Sequence, residues 1–213
     1  MTTIGIIDYG MGNRRSVQKA LEHVGARALI TSDADVLSGC DGLVLPGVGA
    51  FPAAMRNLDE RGLTGFVGAQ AGRGVPLLGI CLGMQLLFES SVEGEPTRGL
   101  GLLPGVVRGL DSGELRLPHI GWNEVRLQRD CPLTADLPAD GCPFYHVHSF
   151  VAHPADAAHI VGTAEYGERF ASIVSAANVF GAQFHPEKSS AHGLLMLGGF
   201  VRLCAHSSPA VAA

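Results

Sequence analysis

Two short segments of this sequence carry groups able to do covalent chemistry together. Gly79-Ile80-Cys81-Leu82-Gly83 sets a cysteine between two glycines, where an aliphatic run from Val75 to Ile80 gives way to an apolar helical pattern through Met84, Leu86, Leu87 and Phe88. A tight strand-to-helix turn needs glycine on both sides, because side chains there collide with neighbouring strands and the nucleophile's own backbone is strained. Such a turn holds Cys81 at the carboxyl edge of a sheet and at a helix N-terminus, where unpaired N–H groups and the helix dipole favour the thiolate. The N–H of Leu82 then faces an oxyanion formed on attack. His185-Pro186-Glu187 follows a second strand-like run, Val179 to Phe184. Residues two apart in an extended segment project to one side, and Pro186 restricts His185 to extended conformations. His185 and Glu187 are therefore expected to converge on Cys81. The imidazole would take the thiol proton and return it to a leaving amine, while the carboxylate holds the tautomer and stabilises the imidazolium. A single cysteine is more often an inert buried hydrophobe, and His-Pro-Glu alone carries little; the pairing of the two segments is what favours chemistry.

The elements that must position these groups are legible in the first ninety residues. Short aliphatic runs alternate with longer helical patterns, the sequence form of βαβ units and a parallel sheet. Thr3 to Asp8, Ala26 to Thr31, Gly42 to Leu45 and Val75 to Ile80 read as strands. Asn13 reads as the N-cap of a helix carrying Val17, Ala20, Leu21 and Val24 and closed by Gly25, and a helical stretch with Met55, Leu58 and Leu63 follows Pro46-Gly47-Val48-Gly49. From about Gly99 short strand-like runs take over: Val106-Val107, Asn123 to Leu127, Phe144 to Val151, Ile160 to Ala164, Ile173 to Ser175 and Val179 to Phe184. A last helix spans about Ala191 to Ala205. The expected architecture is α/β: a flavodoxin-like, open, mostly parallel sheet flanked by helices, with an antiparallel β extension. Residues 1–206 read as one domain and 207–213 as a disordered tail.

Composition removes several function classes. The 213 residues are 46% hydrophobic and 16% charged, enough to bury a core, and 15 basic against 20 acidic residues leave a net charge of −5, which argues against nucleic acid as partner. The charge-free run Gly74 to Phe88 is shorter than the ~20 residues a membrane span needs. No signal-peptide pattern opens the chain. The five cysteines, at 40, 81, 131, 142 and 204, form no Cys-x-x-Cys pair, so a reducing cytoplasm fits best and all but Cys81 read as structural. Gly10-Met11-Gly12 lacks the rest of a dinucleotide or P-loop motif, and His146 and His148 have no evident third ligand, so neither a nucleotide cofactor nor a metal is expected.

Gly-Ile-Cys81-Leu-Gly-Met-Gln, with His185-Pro-Glu187 about a hundred residues on, resembles the class I glutamine amidotransferases. Tyr9-Gly-Met-Gly-Asn13, Pro46-Gly-Val-Gly-Ala-Phe51, Pro118-His-Ile-Gly-Trp-Asn123, Tyr145-His-Val-His-Ser-Phe150 and His185-Pro-Glu-Lys-Ser189 resemble that family's branch serving imidazole glycerol phosphate synthesis in the histidine pathway. The likeness spans roughly residues 4 to 205. It implies that Cys81 attacks the side-chain amide of L-glutamine, that ammonia leaves, and that water hydrolyses the γ-glutamyl thioester. It implies a heterodimer, in which a separate barrel-shaped cyclase subunit consumes the ammonia. Carried over by position, Val48 or Gly49 would complete the oxyanion hole with Leu82. Gly49, Gln85, Glu93, Ser149 and Phe150 would bind glutamine, with Glu93 on its α-ammonium. Asn13, Trp122, Asn123 and Lys188 would lie at the cyclase interface. Arg14 departs from the aliphatic residue more usual there and points to altered charge pairing at that edge. Two other readings stay open: a glutaminase of another pathway or a stand-alone thiol hydrolase of similar fold, and a binding module in which Cys81 is inert.

Overall fold

The computed structural model describes residues 1–207. The amino-terminal half alternates as expected: β1 (Thr3–Ile7), α1 (Arg14–His23), β2 (Arg27–Thr31), α2 (Ala34–Ser38), β3 (Gly42–Gly47), α3 (Phe51–Glu60), α4 (Leu63–Gly72), β4 (Leu77–Cys81) and α5 (Leu82–Leu86). The rest is mostly strand: β5 (Phe88–Ser91), β6 (Thr97–Arg98), β7 (Leu103–Gly109), β8 (His119–Leu127), β9 (Cys142–His148), β10 (Phe150–Pro154), β11 (Ile160–Tyr166), β12 (Glu168–Ala176) and β13 (Val179–Ala182), before the long α6 (Ser190–Ser207).

A nine-stranded sheet runs in the order β2-β1-β3-β4-β13-β12-β11-β8-β9. Its first five strands are parallel and the remaining pairings antiparallel. Helices cover both faces of the parallel part, which is why β3 and β4 are buried at every residue instead of alternating. On one face Val17, Ala20 and Leu21 of α1 pack with Met196, Leu197 and Phe200 of α6 over Ile4, Ile6, Val44 and Ile80. On the other, Phe51, Met55 and Leu58 of α3 and Leu63 and Val67 of α4 pack over Ile7, Leu43 and Leu45. Successive strand residues feed opposite cores, as period-two geometry requires.

Several expectations are corrected in detail. The helical stretch around Met55 to Leu63 is two helices, because Gly62 turns left-handed at φ +66° and redirects the chain. The short α2, capped by the Asp33 carboxylate, escaped the sequence reading. The helix after Cys81 stops at Leu86, and Phe88 already belongs to β5. The single run Phe144 to Val151 is two strands in two sheets: β9 edges the large sheet, while β10 opens a separate four-stranded sheet, β10-β7-β5-β6, that hydrophobic pattern did not announce. Of the expected tail, Ser207 ends α6 and 208–213 lie outside the described residues.

Candidate active site

The carboxyl ends of three adjacent parallel strands supply the site. Register sets Gly47 beside Cys81 and Ala182 beside Ile80, so the turn after β3, the thiol ending β4 and the segment leaving β13 emerge side by side. This is where open α/β sheets place their ligands.

Cys81 has φ +54° and ψ −113°, a left-handed backbone that only a well-determined surrounding holds for a residue with a side chain. Its flanking glycines are required by contact. A Cβ on Gly79 would lie 2.6 Å from the Gly83 carbonyl oxygen, and a Cβ on Gly83 would lie 1.8 Å from that of Leu45. The elbow inferred from Gly-x-Cys-x-Gly is thus a close backbone crossing between β4, α5 and β3. The turn Pro46 to Gly49 is pinned from below, where the buried Tyr9 hydroxyl donates to the Pro46 carbonyl at 2.7 Å. Gly49 takes φ +109°, which suits its residue type.

His185 is buried, and its Nδ1 lies 2.8 Å from Glu187 Oε1. That bond leaves Nε2 for the sulfur. Burial is the largest single influence on the imidazolium and pulls its pKa down, but hydrogen bonds and charge from Cys81 and Glu187 together outweigh it and raise the pKa to about 9. The two residues meet otherwise than the sequence suggested. β13 ends at Ala182, and Pro186–Lys188 forms one turn of 3-10 helix instead of continuing extended. The ring is further located by its backbone: the His185 N–H donates to the Tyr145 carbonyl (3.0 Å), and the Ser189 hydroxyl donates to the His185 carbonyl (2.7 Å) while accepting from the Tyr145 N–H (3.0 Å).

A cleft of about 190 Å³ opens over the sulfur, lined by Val48, Gly49, Cys81, Leu82, Gln85 and Glu93 on one side and by Val147 to Phe150, His185 and Lys188 on the other. Every residue assigned to the triad, oxyanion hole or glutamine lines it, except Glu187, which sits behind His185 with its side chain fully buried. Two of them have further duties. Glu93 Oε2 accepts from the Phe51 N–H (2.9 Å) and satisfies the first turn of α3. The Gln85 amide nitrogen is spent on the Phe150 carbonyl (2.9 Å) and Gln183 Oε1 (3.1 Å).

The four residues given to a partner surface separate. Trp122 is 55% exposed and packs edge-to-face on Tyr145, with Ile120 exposed beside it on the same face of β8. Lys188 is exposed at the rim of the cleft. Asn123 points to the opposite face of β8 and donates to the Glu165 carbonyl at 2.9 Å. Asn13 occupies the N-cap position of α1 as expected but makes no side-chain capping bond; its side-chain amide donates instead to Glu187 Oε1. Arg14 pairs with Asp8 within the chain. Asp8 is held below the ordinary carboxylate range: burial pushes up, and the Gly10 N–H with the Arg14 guanidinium more than offsets it.

Sequence reasoning missed Gln183, Tyr9 and Ser189. Gln183 is fully buried with its amide nitrogen 4.0 Å from Cys81 Sγ. Its signal was available: it stands two residues before His185, so a strand ending there turns both to one side.

The chain matches the family model described as glutamine amidotransferase class-I over residues 5–201. It is 49% identical over 210 residues to the imidazole glycerol phosphate synthase subunit HisH of Moorella thermoacetica, covering 99% of each chain. It is 48% identical over 206 residues to the protein of that name in Methanosarcina barkeri, covering 96% of this chain and all of the relative. Among solved structures it resembles one described as a glutamine amidotransferase (TM-score 0.75, 20% identity, 95% and 98% of the two chains). The structure of PurLQS from Thermotoga maritima contains a similar chain (TM-score 0.75, 20% identity, 95% and 98%).

Proposed function

The chain belongs to the class I glutamine amidotransferases, and from that premise we propose that Cys81, His185 and Glu187 carry out its glutamine hydrolysis. It works as the glutaminase subunit of an imidazole glycerol phosphate synthase, in histidine biosynthesis. One observation carries the assignment of roles: a strained cysteine, an imidazole locked to a buried carboxylate and a glycine-rich turn share one cleft.

His185 Nε2 takes the Cys81 thiol proton, and the thiolate attacks the side-chain carbonyl carbon of glutamine. The oxygen, now negative, is held by the N–H of Leu82 with that of Val48 or Gly49. As the tetrahedral adduct collapses, the imidazolium returns the proton to the amide nitrogen, the C–N bond breaks and ammonia leaves. Water, deprotonated by the same ring, then attacks the γ-glutamyl thioester, and glutamate departs as Cys81 regains its proton. Glu187 holds the proton on Nδ1, so that Nε2 faces the sulfur in both halves of the reaction. Glu93 takes the substrate's α-ammonium with the oxygen not engaged by Phe51, and Gln85, Ser149 and Phe150 hold its remaining polar groups. No cofactor is required.

The ammonia is handed to a cyclase partner docked over Trp122 and Lys188, with Asn13 and Asn123 behind that surface. The exposed apolar pair Ile120 and Trp122 supports such a face. The chain works in the cytoplasm as one domain; its five free, buried cysteines suit a reducing compartment, and among the described residues no helix is long and apolar enough to cross a membrane.

The test is ammonia release from glutamine by the protein alone and mixed with the cyclase plus its nucleotide ligand, with Cys81→Ala as control. Activity that rises sharply in the mixture and disappears in Cys81→Ala is expected. Turnover indifferent to the cyclase would move the chemistry to another pathway, and turnover surviving Cys81→Ala would end the triad assignment.

A further inference from the structure

Behind the cleft, polar groups form a chain whose donor and acceptor roles are forced. The Phe150 carbonyl can only accept. Gln85 Nε2, at 2.9 Å, therefore donates to it, and the second hydrogen of that nitrogen goes to Gln183 Oε1 at 3.1 Å. The Gln183 amide nitrogen is thereby turned toward Cys81 Sγ. On the other side of the same carbonyl stands His148 Nδ1, at 3.2 Å, which must carry a hydrogen. A neutral ring then offers Nε2 as acceptor, so His119 Nδ1, at 3.2 Å, donates to it. His119 Nε2 in turn accepts from Asn123 Nδ2 at 3.3 Å, and that amide is independently oriented by the Glu165 carbonyl.

Two backbone carbonyls, that of Phe150 on β10 in the small sheet and that of Glu165 on β11 in the large one, thus dictate one tautomer for both rings. His119 and His148 are 3% and 6% exposed, and burial, first among the influences on each, keeps the imidazoles neutral. His146, stacked on His119 and also buried, stands outside the chain, its nitrogens facing the Phe144 carbonyl and the Ser172 hydroxyl. His119 also stacks on Tyr166 at 4.0 Å, so its ring plane is fixed as well. The chain begins on β8, one residue from Trp122, and ends at the wall of the cleft.

We propose that His119 and His148 are positioning residues for glutamine binding: as neutral rings of a single tautomer they hold the Phe150 carbonyl, and with it the Gln85 amide, in the orientation the substrate meets. This rests on the glutaminase reading above. It also distinguishes hydrogen bonding from packing at His119, a residue outside the cleft. Asparagine there keeps a donor where Nδ1 stood but loses the ring, whereas phenylalanine keeps the ring and loses the donor.

Glutamine kinetics at saturating cyclase and nucleotide ligand should show KM raised about tenfold in His119→Phe, the effect of one lost hydrogen bond, with kcat within about twofold of the parent. His119→Asn should return KM to within about threefold. A parental KM in His119→Phe, or a loss confined to kcat, overturns the proposal. Nitrogen-15 spectra of histidine-labelled parent protein test it without any variant: both rings should appear as Nδ1–H tautomers, and an Nε2–H tautomer at either position overturns it even if the variants do not fold. A parent that hydrolyses no glutamine with the cyclase present would instead fault the glutaminase reading, leaving the tautomers to decide the hydrogen-bond chain.

Discussion

Replacing Gly83 by alanine tests the elbow through one methyl group placed where the two halves of the proposed oxyanion site meet. The added Cβ would stand 1.8 Å from the Leu45 carbonyl oxygen and 2.8 Å from its carbon. A close carbon–oxygen contact is about 3.3 Å, so β3 must retreat by about 1.5 Å or α5 must shift as far. Neither neighbour is a flexible side-chain end: both are backbone in the centre of the sheet. Leu45 leads directly into Pro46 to Gly49, and Gly83 follows Leu82 by one residue, so the retreat separates the donors that must together reach one oxygen. A misplacement of about 1 Å already costs on the order of a hundredfold in rate, and overpacking a filled core costs about 1–3 kcal/mol. Gly83→Ala should therefore lose at least about a hundredfold in kcat for ammonia release with cyclase and ligand present, and its urea midpoint should fall. Gly68→Ala is the control, because Gly68 lies inside α4 with nothing within 4 Å of its added Cβ. That variant should keep parental kcat and gain about 0.5–1 kcal/mol from reduced backbone entropy. A Gly83→Ala protein with kcat within threefold of the parent and an unchanged midpoint would show that the crossing at Leu45 does not hold the site together.

Glu187→Gln preserves shape but removes the charge that fixes the His185 tautomer; kcat should fall by about three orders of magnitude while thiol content and melting stay near parental, and a loss under tenfold would demote Glu187. The raised pKa of His185 makes stability depend on pH. Below its ordinary value of 6.5 the ring is protonated in both folded and unfolded chains and the stabilisation is complete; it is lost as pH rises from 6.5 through about 9. The advantage of parent over His185→Gln in unfolding free energy, from urea titrations, should accordingly be largest near pH 6 and shrink toward pH 9.5 as the ring loses its proton; a constant or growing advantage contradicts the sign. Trp122→Ala should leave melting and secondary structure unchanged and weaken cyclase binding in a titration by about ten- to a hundredfold, and unchanged affinity would move the interface elsewhere.

Local sequence determined the parts of this protein that need only neighbouring residues. Gly79-Ile80-Cys81-Leu82-Gly83 specifies its turn because the steric demand for glycine arises within the turn and against the strands beside it. His185 and Glu187 were legible as a pair from their closeness in the chain, but the extended geometry read from their spacing was not: they meet across a 3-10 turn at Pro186–Lys188. The parallel half was legible because each βαβ unit writes its own hydrophobic period. What the tertiary structure decided are contacts between residues far apart in the chain. The run Phe144 to Val151 holds no glycine, proline or charged residue to break it, and only the sheets available on either side of Ser149 divide it. Asn13 reads as a helix cap, yet its amide reaches Glu187, 174 residues away, because α1 and the segment after β13 meet above the same sheet edge. His119, His146 and His148 look like unconnected polar residues until β8 and β9 pair and set His119 opposite His148. A hydrogen bond has a direction and a length of about 3 Å, and neither is written in a sequence until strands from distant parts of the chain fix both of its ends.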